Sequence, residues 1–305
     1  MKNLVKLVAP AKVNLVLAVG GVREDGFHEV HTVMQALALH DVLTMRRFEE
    51  EDGDQGLEIV LKCETSGDID EIDVPTEENI AYRAVRELAQ ELGRDANETI
   101  HMMLSKVVPA QAGLGGGSSD AAAALLGAAT LWGIEADDER LEAVASRLGA
   151  DVAFFLKGGC SYLSGKGDVF ESALVPRKGF AMLVRPQVGV STAEAYAAFD
   201  RDPQVPSAEY VAKLAQCTDA ADLEPWNNLT DAACKVTPEV AEVLSWARNM
   251  PQAQQVFLCG SGSAVCITCD SYDDAQACSL EATKRDWWAR ITSFSPVGAA
   301  VVNAY

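Results

Sequence analysis

No apolar stretch of this sequence approaches the roughly 20 residues that a membrane-spanning helix requires, so a helical membrane protein is not expected. A signal segment is missing too. Met1-Lys2-Asn3-Leu4-Val5-Lys6 runs straight into strand-like alternation, with no apolar region followed by a small-residue cleavage site. The expected location is the cytoplasm. Positive charge is scarce: Lys and Arg number 25 against 45 Asp and Glu, a formal net charge of −20. Such a surface repels nucleic acid and anionic membranes over most of its extent, so neither is expected as a partner, and no obligate protein partner is evident. Solubility is the simplest role for the excess. An anionic ligand is still admissible, provided that local donors hold it: a few basic residues, backbone N–H groups and helix N-termini. Eight cysteines among 305 residues do not make a disulfide scaffold, and most sit among apolar neighbours. Cys266 and Cys269 form a C-x-x-C, but without a second pair or a nearby His that spacing is weak evidence for zinc. In Ala264-Val265-Cys266-Ile267-Thr268-Cys269 they read as strand residues. Internal repeats, low-complexity tracts and heptads are absent as well.

What is present is the balance of a chain that can bury a core, 49% hydrophobic and 23% charged. Its length suits one large or two ordinary domains. Residues 4–9 and 13–19 read as two strands interrupted by Pro10-Ala11-Lys12, and Gly20-Gly21 and Asp25-Gly26 are turn signals. Residues 29–45 are mixed and largely apolar. Residues 49–56 and 66–78 read as acidic loops around a strand at 57–63. Ile80, Ala84, Val85, Leu88, Ala89 and Leu92 follow helical spacing, with Gly93 placed to end the helix. A strand is expected at 99–108. Ser118 or Ser119 can cap a long Ala-rich helix through Trp132, and Asp137 or Asp138 can cap another running to Leu148. The Gly-rich stretch 158–167 suits a domain junction. Beyond it, 180–185, 256–259, 264–269 and 291–302 read as strands and 236–248 as a helix. Strands and helices intermix without strict alternation, which favours an α+β fold over a doubly wound parallel sheet.

The strongest local feature is Pro109-Ala110-Gln111-Ala112-Gly113-Leu114-Gly115-Gly116-Gly117-Ser118-Ser119-Asp120, which follows an expected strand and opens an expected helix. Four glycines in five residues let the backbone approach a ligand closely. Consecutive N–H groups in such a loop form an anion nest, and the helix N-terminus adds its dipole. Ser118 and Ser119 supply hydroxyl donors or Mg²⁺ ligands. Polyphosphate is the natural guest, and a merely flexible loop before a capped helix is the plainer alternative. No Lys precedes Ser118, so this is not a Walker A loop. Ser118 stands where the dinucleotide fingerprint needs its third small residue.

Phosphoryl transfer to an alcohol needs a cradle for the triphosphate, positive charge on the transferring group, and a group to take the hydroxyl proton. Lys12, in Pro10-Ala11-Lys12-Val13-Asn14-Leu15, is a candidate for the charge, although taken alone a surface lysine is the plainer reading. Asp151 follows Leu148-Gly149-Ala150 and precedes Val152-Ala153-Phe154-Phe155-Leu156, so it is either a helix cap or a partly buried functional acid. Arg23-Glu24-Asp25-Gly26-Phe27-His28 is a tight turn bearing an aromatic ring and an imidazole, able to hold a planar base or simply to turn the chain. Leu258-Cys259-Gly260-Ser261-Gly262-Ser263-Ala264 joins two expected strands, either as a second backbone nest or as a hairpin.

In order and spacing, the N-terminal Pro-x-Lys, the central Gly-Leu-Gly-Gly-Gly-Ser-Ser and the C-terminal Gly-Ser-Gly resemble the three motifs of the GHMP kinases, a superfamily of small-molecule kinases. The match runs from about residue 8 to about residue 300. The resemblance implies a two-domain α+β fold, an N-terminal ATP-binding domain over residues 1–164 and a C-terminal ferredoxin-like domain over 165–305, with the active site in the cleft between them. It implies a cytoplasmic kinase using ATP and Mg²⁺, the metal ligands being undetermined. Pro10-Ala11-Lys12-Val13-Asn14-Leu15, Arg23-x-Asp25-Gly26-Phe27-His28 and Leu148-Gly149-Ala150-Asp151-Val152 are similar to a branch of the superfamily acting on cytidyl diphosphate-linked methylerythritol, in non-mevalonate isoprenoid precursor synthesis.

On that resemblance Asp151 takes the proton from the substrate's C2 hydroxyl, with Lys12 beside it as charge stabiliser. Cytosine lies between Phe27 and Tyr196 and bonds His28, and Asn14 and Thr192 touch the substrate. Asn79 and Lys106 approach the ATP nucleoside, and residues 109–119 wrap the triphosphate. The chain departs from that branch at Phe27, where Tyr is frequent, and at Ala153, where Pro is frequent. It also follows only loosely the branch's Pro-Gly-Val-Ser-x-x-Thr over residues 186–192, and residues 227–230 lack the acidic residues often found there. Two alternatives are a GHMP kinase for homoserine or mevalonate, substrates with no base for Phe27, His28 and Tyr196 to hold, and a non-catalytic nucleotide or metabolite sensor, which would need neither Lys12 nor Asp151.

Overall fold

The computed structural model describes residues 2–49, 56–71, 74–94 and 97–305. Of the two acidic stretches read as loops, residues 50–55 and 72–73 lie outside the described residues.

The fold is organised by one long hairpin. Strand β1 (Leu4–Val22) pairs antiparallel with β2 (His28–Glu49) along nearly its whole length, closing through residues 23–27. The expected break at Pro10-Ala11-Lys12 does not occur; the strand continues, with register shifts between Pro10 and Lys12 and between Asn14 and Val16. Proline cannot donate to a ladder, and a bulge is where a strand tolerates it. These shifts redistribute side chains. Val5, Leu7 and Ala9 pack into one apolar cluster and Ala11, Val13, Leu15 and Val16 into a second, while Lys12 and Asn14 face a cavity.

Strands β3 (Leu57–Thr65) and β4 (Glu98–Lys106) extend the sheet beyond β2. Helices α1 (Ile80–Glu91), α2 (Gly116–Trp132), α3 (Glu139–Leu148) and α4 (Ala150–Lys157) bury their apolar residues in the cluster shared with β1, β2 and β4. The cap expected for α3 holds, supplied by Asp138, and α1 has a cap that was not expected, Asn79 Oδ1 accepting from the Ala81 N–H at 2.9 Å. The cap expected from Ser118 or Ser119 is not found: both already lie inside α2, whose N-cap position is Gly115 in the left-handed conformation, with no side-chain cap. Asp151 is not a cap either. It sits in the first turn of α4, behind Gly149.

The Gly-rich stretch after α4 forms β5 (Cys160–Ser164), which pairs with β2 and with β6 (Val169–Ala173). Next come β7 (Phe180–Arg185), α5 (Thr192–Phe199), α6 (Ala208–Ala215), the short β8 (Trp226–Asn227) beside β1, α7 (Thr230–Val236) and α8 (Pro238–Arg248). Strands β9 (Gln255–Leu258) and β10 (Val265–Cys269), helix α9 (Tyr272–Thr283), and strands β11 (Trp288–Ser293) and β12 (Ala300–Ala304) complete the chain. The stretch 291–302, read as one closing strand, divides: β11 joins the second sheet and β12 pairs with β1.

The second sheet has the order β11-β7-β10-β9, every pair antiparallel. Counted along the chain this is fourth-first-third-second, the ferredoxin-like split arrangement. One face meets the β1 cluster through Ala181, Leu183 and Cys266, and the other packs on α8 and α9 through Met182, Val184 and Cys269. Cys266 and Cys269 therefore lie on opposite faces of β10, as residues three apart on a strand must, and do not form a shared site. Helix α9 left little trace in the sequence because it buries only Ala275, Cys278 and Ala282, without the large apolar residues that make a period visible.

The end of α4 is fixed backbone to backbone. Its C-cap Gly158 has φ 70°, and a Cβ there would lie 2.0 Å from the Gly298 nitrogen. The Ala299 N–H donates to Phe155 O at 2.8 Å, tying the helix that carries Asp151 to the approach to β12. Gly158→Ala adds left-handed strain and a collision with immobile backbone, so a loss of about 2–3 kcal/mol of unfolding free energy is expected. Urea denaturation measures it; a loss below about 0.5 kcal/mol would show that the 296–299 segment yields freely.

Candidate active site

A deep cavity lies where the β1–β2 hairpin, the segment joining β4 to α2, the starts of α1, α4 and α5, and the β9–β10 turn converge. Its volume is about 660 Å³.

One wall is the glycine loop. From β4 the chain runs through residues 107–115 into α2 and takes the left-handed conformation at Gln111 (φ 50°), Gly113 (φ 73°) and Gly115 (φ 70°). The loop is locked to its surroundings: the Lys12 N–H donates to Leu114 O at 2.9 Å, and the Ser263 and Ala264 N–H groups donate to Gln111 O and Ala112 O at 3.2 and 3.1 Å. A Cβ on Gly113 would lie 1.8 Å from Cys259 O, so only glycine lets these two turns meet. Because no side chain caps α2, its first-turn N–H groups are not spent on a cap, and Gly116, Gly117 and Ser118 line the cavity. Ser119 is buried, and its Oγ has no hydrogen-bond partner among the described residues.

The floor is the bulged centre of β1. Lys12, 4% exposed, donates from Nζ to Asn14 Oδ1 at 2.7 Å and lies 3.5 Å from Asp151 Oδ2. The Asp151 side chain keeps 28% of its exposure and faces the cavity. Tyr196, in α5, lines the same wall; burial first, and then the Asp151 charge, push its phenol up to about 12, so it stays a neutral donor. Thr192 begins α5 and shares a 2.8 Å hydrogen bond with Ser261 in the β9–β10 turn. That turn is both of the things its sequence allowed, a hairpin connection and, through Gly260, Ser261 and Gly262, part of the cavity wall.

Two other expected site residues have structural partners. Asn79 lines the cavity while its Oδ1 caps α1. Lys106, also at the wall, is 5% exposed and bonds Asp41 Oδ2 and Asp120 Oδ2, each at 2.5 Å. Asp41 Oδ1 in turn accepts from the Val107 and Val108 N–H groups at 2.6 and 2.9 Å, fixing the entry to the glycine loop. Two buried carboxylates around one ammonium leave a surplus negative charge. Burial, seconded by the Asp41 charge, pushes Asp120 up to about 7 against the pull of Lys106, so this carboxyl holds a proton far above its ordinary range, while the two carboxylates keep Lys106 protonated.

Phe27 and His28 are not among the cavity-lining residues, but each touches one. The His28 ring lies 5.0 Å from that of Tyr196 and 6.1 Å from that of Phe199, with Nε2 2.7 Å from Asp200 Oδ1. Phe27 is 56% exposed, with Lys166 Nζ 5.1 Å from its ring centre. All the remaining residues singled out from the sequence, apart from Ser119, line the cavity.

Several contributors were not singled out beforehand. Thr32 and Lys166 line the cavity. Asn227 Nδ2 donates to Leu258 O and Gly260 O at 3.0 and 2.7 Å and holds the β9–β10 turn. Asp41 carried a readable signal, an acid inside Leu39-His40-Asp41-Val42-Leu43. Thr32 carried none, since its partners are distant in sequence or belong to backbone, and residues 227–230 drew notice only as a departure from the family branch.

A family model described as the GHMP kinases N terminal domain matches residues 79–159. A 4-diphosphocytidyl-2-C-methyl-D-erythritol kinase of Desulfitobacterium hafniense is 37% identical over 270 residues, 87% of each chain. One from a Nocardioides species is 33% identical over 306 residues, 97% of this chain and 99% of its own. The crystal structure of a 4-(cytidine 5'-diphospho)-2C-methyl-D-erythritol kinase superposes with a TM-score of 0.75 at 31% identity, covering 95% of this chain and 99% of that one. A homoserine kinase from Cytophaga hutchinsonii shares the fold, with a TM-score of 0.68 at 18% identity over 99% of this chain and 98% of its own. Among the described residues, no helix is long and apolar enough to cross a membrane.

The proton on Asp120 has a consequence for stability. Its folded value, about 7, lies above the unfolded carboxylate value of about 3.9. Between the two the native state binds a proton that the unfolded state lacks, so this group's contribution is full below about pH 4 and is lost as pH rises through about 7. Asp120→Asn has no such proton. The stability of wild type relative to the variant is expected to fall between about pH 4 and pH 7 and to level off above in denaturant titrations; a pH-independent difference would place the surplus proton elsewhere.

Proposed function

Because this chain belongs to the GHMP kinase family, we propose that it transfers the γ-phosphoryl group of ATP to the C2 hydroxyl of 4-diphosphocytidyl-2-C-methyl-D-erythritol. The observation that carries the reading is the convergence on one cavity of a buried ammonium, an accessible carboxylate and an uncapped helix N-terminus behind a glycine loop. The substrate is argued from the named relatives, which carry that activity in their names at 37% and 33% identity.

In this reading the loop from Pro109 to Ser119 receives the triphosphate through its N–H groups and the dipole of α2, a setting that suits polyphosphate without many basic residues. The free hydroxyls of the α2 start add donors. Mg²⁺, when bound with ATP, supplies charge neutralisation at the phosphates and, as a hard cation, keeps much of its water. Lys12 has three N–H groups: one is given to Asn14, one is directed at Asp151, and one is left for the reacting oxygens. Asp151 accepts the hydroxyl proton, a contribution of about 10²–10⁴ in rate for a well-placed base. Tyr196 and His28 form an aromatic and imidazole wall suited to a planar base, and the exposed Phe27 ring can close over it.

A coupled assay of ADP release with Mg²⁺-ATP tests the proposal, with mevalonate and homoserine run beside the cytidyl substrate. Release with the cytidyl substrate alone is expected; release only with one of the others would keep the kinase and discard the base pocket. Asp151→Asn is expected to lower kcat by at least 10²-fold while both ligands still bind, and unchanged turnover would remove Asp151 from the role of base. His28→Ala is expected to raise KM for the cytidyl substrate by about tenfold, a loss the size of one good polar contact, with KM for ATP nearly unchanged. An equal loss of ATP affinity would move His28 out of the base pocket.

A further inference from the structure

One polar side chain at the cavity has no part in the mechanism above. Thr32 lies on β2 opposite Leu17 of β1, is 1% exposed, and lines the cavity. Its Oγ1 is 2.7 Å from Val16 O and 2.8 Å from Asn14 Nδ2. Val16 stands at the register shift in β1.

The direction of these hydrogen bonds is fixed by elimination. A backbone carbonyl only accepts, so the single hydroxyl proton of Thr32 is committed to Val16 O. Thr32 Oγ1 must then accept from Asn14, which turns the NH₂ end of that amide toward Thr32. The carbonyl end of Asn14 consequently faces Lys12 Nζ, 2.7 Å away, and accepts from the ammonium. With the amide reversed, NH₂ would meet NH₃⁺, donor against donor, and Lys12 would lose the bond that holds it 3.5 Å from Asp151.

We infer that Thr32 is a positioning residue for phosphoryl transfer: by relaying the polarity of the Val16 carbonyl through Asn14, it sets the orientation in which Lys12 faces Asp151 and the reacting oxygens. This rests on reading Lys12 and Asp151 as the reacting pair. Thr32 acts through Asn14 and not by touching substrate, so its loss and the loss of Asn14 are one loss and do not multiply.

The variants Thr32→Val, Thr32→Ser, Asn14→Ala and the double variant Thr32→Val with Asn14→Ala test it. Thr32→Val keeps the shape and removes the hydroxyl; about a tenfold fall in kcat is expected, with KM for ATP and for the cytidyl substrate within about twofold of wild type. Thr32→Ser restores kcat to within about threefold, and adding Thr32→Val to Asn14→Ala costs less than about twofold more. An unchanged kcat in Thr32→Val, a Thr32→Ser as slow as Thr32→Val, or effects that multiply in the double variant would each overturn the inference.

A second readout needs no turnover. In asparagine-labelled protein, the side-chain amide signal of Asn14, identified by its disappearance in Asn14→Ala, exchanges slowly with water in wild type and Thr32→Ser and rapidly in Thr32→Val. Equal exchange in all three overturns the inference. A wild type that turns over none of the candidate substrates overturns the proposed function alone, and the amide measurement still decides the role of Thr32.

Discussion

A buried ammonium must be paired, and much of this site is arranged around the one at Lys12. Taking a charge out of water is costly unless fixed partners replace the solvent. Here the partners come from two directions. Asn14 is its neighbour on the same strand, two residues along, and Asp151 arrives on α4 from well over a hundred residues later. The register shifts on both sides of Lys12 and Asn14 leave these two facing the cavity, while Ala11, Val13 and Leu15 keep their apolar packing. A regular strand through Pro10 would have had no equivalent place for its missing donor.

The same constraint bears on how a chain of net charge −20 could hold the anionic ligand proposed for it. The attraction does not come from a basic surface. Of the cavity lysines, Lys106 is already held between Asp41 and Asp120, Lys12 is shared with Asp151, and Lys166 lies 3.7 Å from Asp168. What remains is backbone: the uncapped start of α2 and a loop whose left-handed residues orient successive N–H groups. The negative surface then matters little at the ligand, because these dipoles act over contact distances while exposed charges farther than a Debye length of about 8–10 Å are screened.

The buried Lys106 group shows the cost of such an arrangement. Asp41 organises the chain leading into the glycine loop by accepting two backbone N–H groups, and Lys106 is the counter-charge that lets it be buried. Asp120 adds a second carboxylate to the same ammonium, and burial together with the Asp41 charge raises its hold on a proton, to about 7. The loop thus rests on a neutralised polar support, while Gly113 meets Cys259 O too closely for any side chain.

Much of this was legible in the sequence. Glycine spacing after a strand announced the loop and the helix behind it, and the amphipathic period of α1 and the cap of α3 were local signals read correctly. Taken separately, Lys12 read more plainly as a surface lysine and Asp151 equally well as a helix cap, and only the co-occurrence of three motifs raised them above that. Misreadings came where local chemistry yielded to tertiary packing: Pro10 did not break β1, Ser118 and Ser119 did not cap α2, and residues 291–302 served two sheets. By itself, then, the sequence determined the residue types, the glycine loop and the order of the motifs, because turn chemistry and periodicity are properties of neighbouring residues. The tertiary structure alone decided that Lys12 meets Asp151, that Asn14 donates to Thr32 and that Lys106 is spent on Asp41 and Asp120. Those pairings depend on strand register and on the docking of helices, which no local pattern encodes.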